Sequence, residues 1–316
     1  MTVGDIGEFA LIEQVTERLR GGPSCLLGPG DDAAVVRTPD GRVVASTDLL
    51  VEGSHFRRDW SSAADVGVKA AAQNLVDIAA MGAVPTALLV GLACPADLPA
   101  AWAREFTAAF DTECALVGAV LVGGDVSRSP TLTIAVTALG DLEGRSPVTR
   151  AGAEPGDVVA LTGRLGWSAA GLAVLSRGFR SPAQVVAAYR RPAPPYAEGP
   201  IAATCGATSM CDVSDGLVQD LGHVARASAV QICIDTPRLE VAPRLQDVGR
   251  ALNVDPMRFL LTGGEDHPLV ATFPSAKSVP RGWTVIGRVR EGEGVLVDGA
   301  AYPLPGWDSF SGGARG

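Results

Sequence analysis

Residues 140–156, GDLEGRSPVTRAGAEPG, constrain the architecture more than any other stretch. They are rich in glycine, proline and charge, and they carry no sustained helical or strand period. On either side, strand-length apolar runs alternate with helical patterns, which implies an α/β (α+β) class. A chain of 316 residues suggests two domains. The break places them at 1–145 and 146–316.

Within the first half, Phe9, Ile12, Val15 and Leu19 repeat at helical spacing and Gly21-Gly22-Pro23 stops the helix. Residues 43–46 read as a short strand. If the chain stays extended beyond it, Ser46 and Asp48 point to one side and Thr47 to the other. Ser61 or Ser62 can cap a long helix over 63–81 that ends at Gly82 with Pro85 beyond. On that Ala/Val-rich helix Lys69, Gln73 and Asp77 fall at i, i+4 and i+8, a polar stripe that is either a solvated face or a buried one. Strands are predicted over 86–94, 119–122 and 131–139, and a helix over 99–117. The strand over 119–122 runs into Gly123-Gly124-Asp125. The second half reads as a strand at 157–162, a glycine turn at 163–166 and a helix over 168–176. A proline-broken region, a turn at 212–216 and helices over 217–228 and 243–252 follow. Strands are expected over 231–234, 269–273, 284–289 and 295–297. The turn at 163–166 before a Ser-led helix suits an anion at a helix N-terminus, or is a plain turn.

Composition narrows the function. Hydrophobic residues make up 47% of the chain and aromatic ones 5%, so the core is mostly Ala, Val and Leu. The formal net charge is −9 with no Lys/Arg-rich run, which argues against nucleic-acid binding. The six cysteines form no CxxC pair and read as reduced thiols. The N-terminal residues lack a secretory pattern, and no apolar run reaches the ~18 residues of a membrane span. A cytoplasmic protein is expected.

Acids in Gly, Ser or Thr contexts recur along the chain: Asp31, Asp32, Asp48, Asp77, Asp125, Asp212, Asp215, Glu265 and Asp266. Singly, each is an ordinary turn or cap residue. Most of their clusters follow a predicted strand, where α/β folds place ligands. If they converge they need cations, because two like charges ~4 Å apart repel by about 4 kcal/mol at an effective dielectric of ~20. Oxygen donors without His or Cys select Mg²⁺-type ions held through a few carboxylates and substrate phosphates. No GxxxxGK[ST] is present, and the protein-kinase motifs are missing too.

Nine motifs in order carry a family resemblance: GEFALI at 7–12, GDDAAV at 30–35, STDLLVEGSHF at 46–56, NLVDIAAMGA at 74–83, LVGGD at 121–125, TRAGAEPGD at 149–157, LTGRLGWSAAGL at 161–172, DVSDGLVQDLGH at 212–223 and LTGGED at 261–266. Together with the GWDSF tail, the chain resembles the thiamine-monophosphate kinases. Their superfamily includes aminoimidazole ribonucleotide synthetase, selenophosphate synthetase and a hydrogenase-maturation dehydratase. The resemblance implies an N-terminal mixed-sheet domain that pairs across a homodimer, and a C-terminal α/β domain that closes over the nucleotide. It implies that ATP and thiamine monophosphate give ADP and thiamine diphosphate, with several Mg²⁺ ions. Carried onto this sequence, the metal ligands fall on Asp32, Ser46, Thr47, Asp48, Asp77, Asp125, Asp212 and Asp215. ATP contacts fall on Gly124, Arg150 and Ser214, and substrate contacts on His55, Glu265 and Trp307, the last against the thiamine ring.

The acceptor is a phosphate monoester with a second pKa of ~6, already an anionic nucleophile at neutral pH. No general base is required, and His55 reads as a phosphate donor. Bringing two polyanions together is the obstacle, and metal clamps and positioning address it. His267-Pro268 departs from the family's usual aromatic-then-acid pair after Gly-Gly-Glu-Asp. Two other functions fit the same pieces. One is an ATP-using synthetase of the aminoimidazole ribonucleotide type, and the other is a non-catalytic nucleotide- or thiamine-phosphate-binding regulator.

Overall fold

A computed structural model describes residues 1–6, 8–17, 19, 21–27, 34–303 and 306. Asp31, Asp32 and Trp307 lie outside these residues. The chain divides into two compact units, Met1–Ile78 with Ala83–Gly144, and Ala79–Gly82 with Arg145–Gly316.

The first unit opens with helices α1 (Val3–Ile6) and α2 (Glu8–Thr16) and a small hairpin of β1 (Cys25–Leu27) and β2 (Val35–Val36). Strand β3 (Val44–Val51) leads to helix α3 (Ala63–Ala80). Strand β4 (Val84–Cys94), helix α4 (Ala100–Ala115), β5 (Val120–Arg128) and β6 (Thr133–Asp141) complete it. The long strands form a mixed sheet in the order β3-β6-β4-β5, with β4 and β5 parallel and the other pairs antiparallel. The helix start is a capping arrangement. Asp65 N donates to Ser62 Oγ (3.2 Å), and Ser62 N donates to Asp65 Oδ2 (2.9 Å). Alternate residues Leu50, Ile134, Val136, Ala138 and Leu88 are buried on one face of the sheet. Gly67 lets α3 cross α4 closely, since a Cβ there would lie 2.3 Å from Phe106 O. Cys25, Ala34 and Val36, at the hairpin, pack with Leu89 and Leu139 around a buried cluster of Ala87, Val120 and Val122.

The second unit runs β7 (Val158–Thr162), α5 (Trp167–Ser176), α6 (Ala183–Arg190), α7 (Glu198–Thr204), β8 (Ser209–Asp212), α8 (Leu217–Ser228) and β9 (Gln231–Ile234). It continues through α9 (Pro243–Leu252), α10 (Pro256–Thr262), β10 (Leu269–Phe273), β11 (Thr284–Arg290), β12 (Gly294–Val297) and β13 (Ala300–Ala301). Its seven-stranded sheet has the order β13-β12-β9-β11-β7-β10-β8, antiparallel except for β12 on β9. Every residue of β10 is buried, as expected for a central strand covered on both faces. Register decides where the loops meet. Leu269, the first residue of β10, pairs with Asp212 at the end of β8 and with Thr162 at the end of β7. Three connections (163–166, 213–216 and 263–268) therefore share one end of the sheet.

Candidate active site

In the first unit β3 stays extended well beyond Ser46, so Ser46-Thr47-Asp48 lies within a strand rather than at its end. The period of two divides these residues. Ser46 and Asp48 face α3, while Thr47 is exposed on the other face, donating to Val136 O (2.9 Å) and accepting from Thr137 Oγ1 (3.2 Å). On the α3 side, Ser46 Oγ donates to Asp77 Oδ2 (2.8 Å) and Gln73 Nε2 to Asp48 Oδ2 (3.3 Å). The Lys69/Gln73/Asp77 stripe is thus turned inward; Lys69 is only 2% exposed. It is held there because its ammonium donates to His55 O at 3.0 Å, a polar partner for a group costly to bury alone.

His55 sits in a tight turn after β3. Its own N–H bonds Val51 O (3.0 Å), and its ring Nδ1 accepts from Val51 N (2.9 Å). With Nδ1 acting as acceptor, the neutral ring carries its proton on Nε2 and presents an N–H donor.

Gly123-Gly124-Asp125 also differs from expectation, because the strand does not end at Val122 but continues through these residues as part of β5. A Cβ on Gly124 would lie 1.9 Å from Val90 O, so the glycine allows β4 and β5 to approach. Asp125 is exposed and accepts from Ser127 Oγ at 2.9 Å. Leu49, Ala135, Gly91 and Asp125 form one cross-strand row. Three strand spacings, about 14 Å, therefore separate Asp125 from β3, and the two do not converge within this unit.

In the second unit, the loops after β8 and before β10 are zipped together. Val213 N donates to Pro268 O (2.9 Å) and Glu265 N to Ser214 O (2.9 Å). Asp220, in the first turn of α8, accepts from Asp215 N and Gly216 N, both at 3.0 Å. His267 Nδ1 meets Asp212 Oδ2 at 2.9 Å, with both side chains buried. Pro268 precedes the strand and serves as an acceptor, so its missing N–H costs no ladder bond. The helix N-terminus at α5 is occupied by the chain's own anion, since Ser168 N donates to Asp266 Oδ1 (2.8 Å). Arg150 is exposed and its carbonyl accepts from Ser228 Oγ (3.0 Å). Gly306, next to Trp307, lies so near the same loop that a Cβ would be 2.4 Å from Asp215 O.

Crowded charge marks this edge. Burial, then the neighbouring carboxylates of Asp212 and Glu265, push the Asp215 carboxyl above its ordinary range. Burial and the Asp212 charge push Asp220 up to about 7. Carboxylates that repel one another in this way suit a cation. Among the described residues no three or more His, Cys, Asp or Glu side chains are grouped to hold one metal ion. Pairs of oxygen donors fit Mg²⁺, which keeps waters and substrate phosphates in its other positions. Sequence reasoning missed Asp220 and the His267–Asp212 bond. An acid in the first helical turn was a readable signal for the former, whereas the latter depends on strand register.

The chain matches the family models for the AIR synthase related protein N-terminal domain over residues 30–142 and C-terminal domain over residues 154–298. Its two-unit mixed α/β fold is that of this class. A thiamine-monophosphate kinase of Mycobacterium tuberculosis (strain H37Rv) is 47% identical over 312 residues, covering 98% of this chain and 93% of that protein. One from Corynebacterium glutamicum is 38% identical, covering 98% and 95%. Among solved structures, AaThiL complexed with AMPPCP and TMP has a TM-score of 0.81 at 32% identity, covering 97% of this chain and 98% of that one. The chain belongs to the thiamine-monophosphate kinase family, a family of phosphotransferases.

Proposed function

We propose that this chain transfers the γ-phosphoryl group of ATP to thiamine monophosphate in a direct, Mg²⁺-dependent, in-line step. A terminal phosphate oxygen of thiamine monophosphate attacks the γ-phosphorus. The bond to the β–γ bridging oxygen breaks, and ADP leaves with the electron pair, giving thiamine diphosphate. The observation that carries this reading is the crowding of Asp212, Asp215 and Glu265 on one loop edge of a member of this family.

Ser46, Asp48 and Asp77 form one metal-ligand set, and Asp212 and Asp215 another. Thr47 and Asp125, on the opposite sheet face, serve separate ion positions, and Asp32 completes the assignment. When bound, the ions neutralise the phosphate oxygens and hold nucleophile and leaving group in line. His55 donates Nε2–H to the substrate phosphate. Its Nδ1 bond to Val51 and the Lys69 clamp on its carbonyl support a donor rather than a base. Gly124, Arg150 and Ser214 contact ATP, and Glu265 and Trp307 contact the thiamine moiety. Residues 1–145 carry metal and substrate binding and dimerisation, while residues 146–316 complete the ATP site.

The protein acts as a homodimer in the cytoplasm. The exposed Leu49 on edge strand β3 supports the first reading, and six free cysteines support the second. Among the described residues no helix is long and apolar enough to cross a membrane. A coupled thiamine-diphosphate assay, run with and without Mg²⁺ and with formylglycinamidine ribonucleotide as the alternative acceptor, tests the reaction. Asp48→Asn is expected to collapse turnover with the fold retained; near-normal activity would sink the ligand assignment.

A further inference from the structure

Asp212 closes β8 with its carboxylate buried, and a buried carboxylate needs a defined partner. That partner is His267, on the loop entering β10, at 2.9 Å between Nδ1 and Oδ2. A carboxylate oxygen can only accept here, so the His267 proton on this side sits on Nδ1. The imidazole is held in turn by its loop. His267 and Glu265 both adopt left-handed backbone angles, with φ of 53° and 68°, and the Glu265 N–H is tied to Ser214 O. Such conformations in non-glycine residues persist where surrounding contacts impose them. The ring is buried, at 6% exposure.

We propose that His267 is a positioning residue for the metal site: its Nδ1–H pins Asp212 Oδ2 and leaves Oδ1 as the oxygen offered to a divalent cation. The inference rests on the assignment of Asp212 as a ligand under the proposed function. It adds that the carboxylate's orientation is imposed from the 263–268 loop, whose packing against Ser214 and Val213 holds His267 in place. In this role His267 acts through Asp212 rather than as a ligand itself. A hydrogen-bonded outer partner of this kind fixes ligand orientation, and its loss typically weakens metal binding.

Calorimetric titration of the full-length protein with Mg²⁺–AMPPCP provides the test without turnover. His267→Phe keeps a ring but removes the donor, and is expected to raise the dissociation constant of the folded protein roughly 10- to 100-fold. Its melting temperature should be lower as well, because the buried Asp212 carboxylate loses its partner. His267→Asn puts an amide N–H at the same branch point and tolerates the left-handed backbone, so binding should return close to wild type. A His267→Phe protein that melts lower but binds Mg²⁺–AMPPCP unchanged would show a purely structural bond and overturn the proposal. Asp212→Asn separates the two readings. If it leaves binding intact, the ligand assignment falls and the proposal falls with it. If it abolishes binding while His267→Phe does not weaken it, the positioning role alone fails. Should His267→Phe not fold, wild-type nitrogen NMR of the three histidine rings decides. The His267 Nδ1–H signal, assigned by elimination with His55→Gln and His223→Gln, is expected to shift when Mg²⁺–AMPPCP is added; an unmoved signal overturns the proposal.

Discussion

Asp266 shows how a single buried carboxyl can serve the fold while weakening it at high pH. It caps α5 through the Ser168 N–H, and burial pushes its carboxyl from 3.8 up to about 7. With the folded value above the unfolded one, the native state binds more protons between those two values. Stability therefore falls as pH rises through that window, by an amount on the order of a few kcal/mol. Asp266→Asn keeps an Oδ1 acceptor for Ser168 and removes the titration. The melting temperature of this variant should decline less steeply than wild type between about pH 4 and pH 7. Equal slopes in thermal scans would mean that Asp266 does not carry the pH dependence.

At the scale of elements, the second unit's acidic edge is made by two loops that touch through backbone. A Cβ on Gly264 would lie 2.0 Å from Ser214 O, and one on Gly216 would lie 2.8 Å from Thr262 O. Neither neighbour is a side chain that could swing aside. Gly264→Ala is thus expected to cost about 3 kcal/mol, lowering the melting temperature by roughly 5–10 °C, with activity reduced because Ser214 and Glu265 are forced apart. Unchanged melting would show that the loops are not packed this closely. Much of this scaffold was legible beforehand. Helix α8, strand β9 and helix α9 begin and end at the expected residues, because Gly216, Pro243 and the left-handed Ala229 and Asn253 punctuate them locally. The short helices α6, α7 and α10 were missed in proline-rich surroundings, although the Asp255 side chain capping Met257 N (2.9 Å) is a local start signal for the last. The two misjudged strands share one cause. The expected strand stops at Val122, whereas β5 runs through Gly124 because this glycine allows close approach to Val90, a partner far off in sequence. Likewise β3 continues through Asp48 because β6 pairs with it all the way to Val51. The inward polar stripe of α3 could be seen from its spacing, but the Ser46–Asp77 and Lys69–His55 bonds depend on tertiary placement.

For the whole molecule, the outer face of the four-stranded sheet sets the question of assembly. Helices cover the opposite face, and the β1–β2 hairpin covers the end around Leu89 and Leu139. Around Leu49, on edge strand β3, the face carries Leu49, Ala135 and Gly91 in one row, and Leu49 is 57% exposed. An edge strand with a bare leucine invites pairing, and isolated chains usually guard such positions with charge. A second copy meeting this face would bury the row, whereas a lysine there would have to be desolvated without a partner. Leu49→Lys is therefore expected to shift the protein from dimer to monomer in sedimentation velocity at micromolar concentration. Because the side chain is exposed in the single chain, the substitution should change the stability of the unit itself by no more than about 0.5 kcal/mol. A variant that sediments as the wild-type dimer would remove this face from the interface, and a monomeric wild type would remove the dimer altogether. If the dimer dissociates and turnover falls with it while Mg²⁺–AMPPCP binding persists, pairing serves the acidic residues proposed as ligands in the first unit. Asp125, three strands away from β3 in its own chain, is then the residue whose role depends on the second copy.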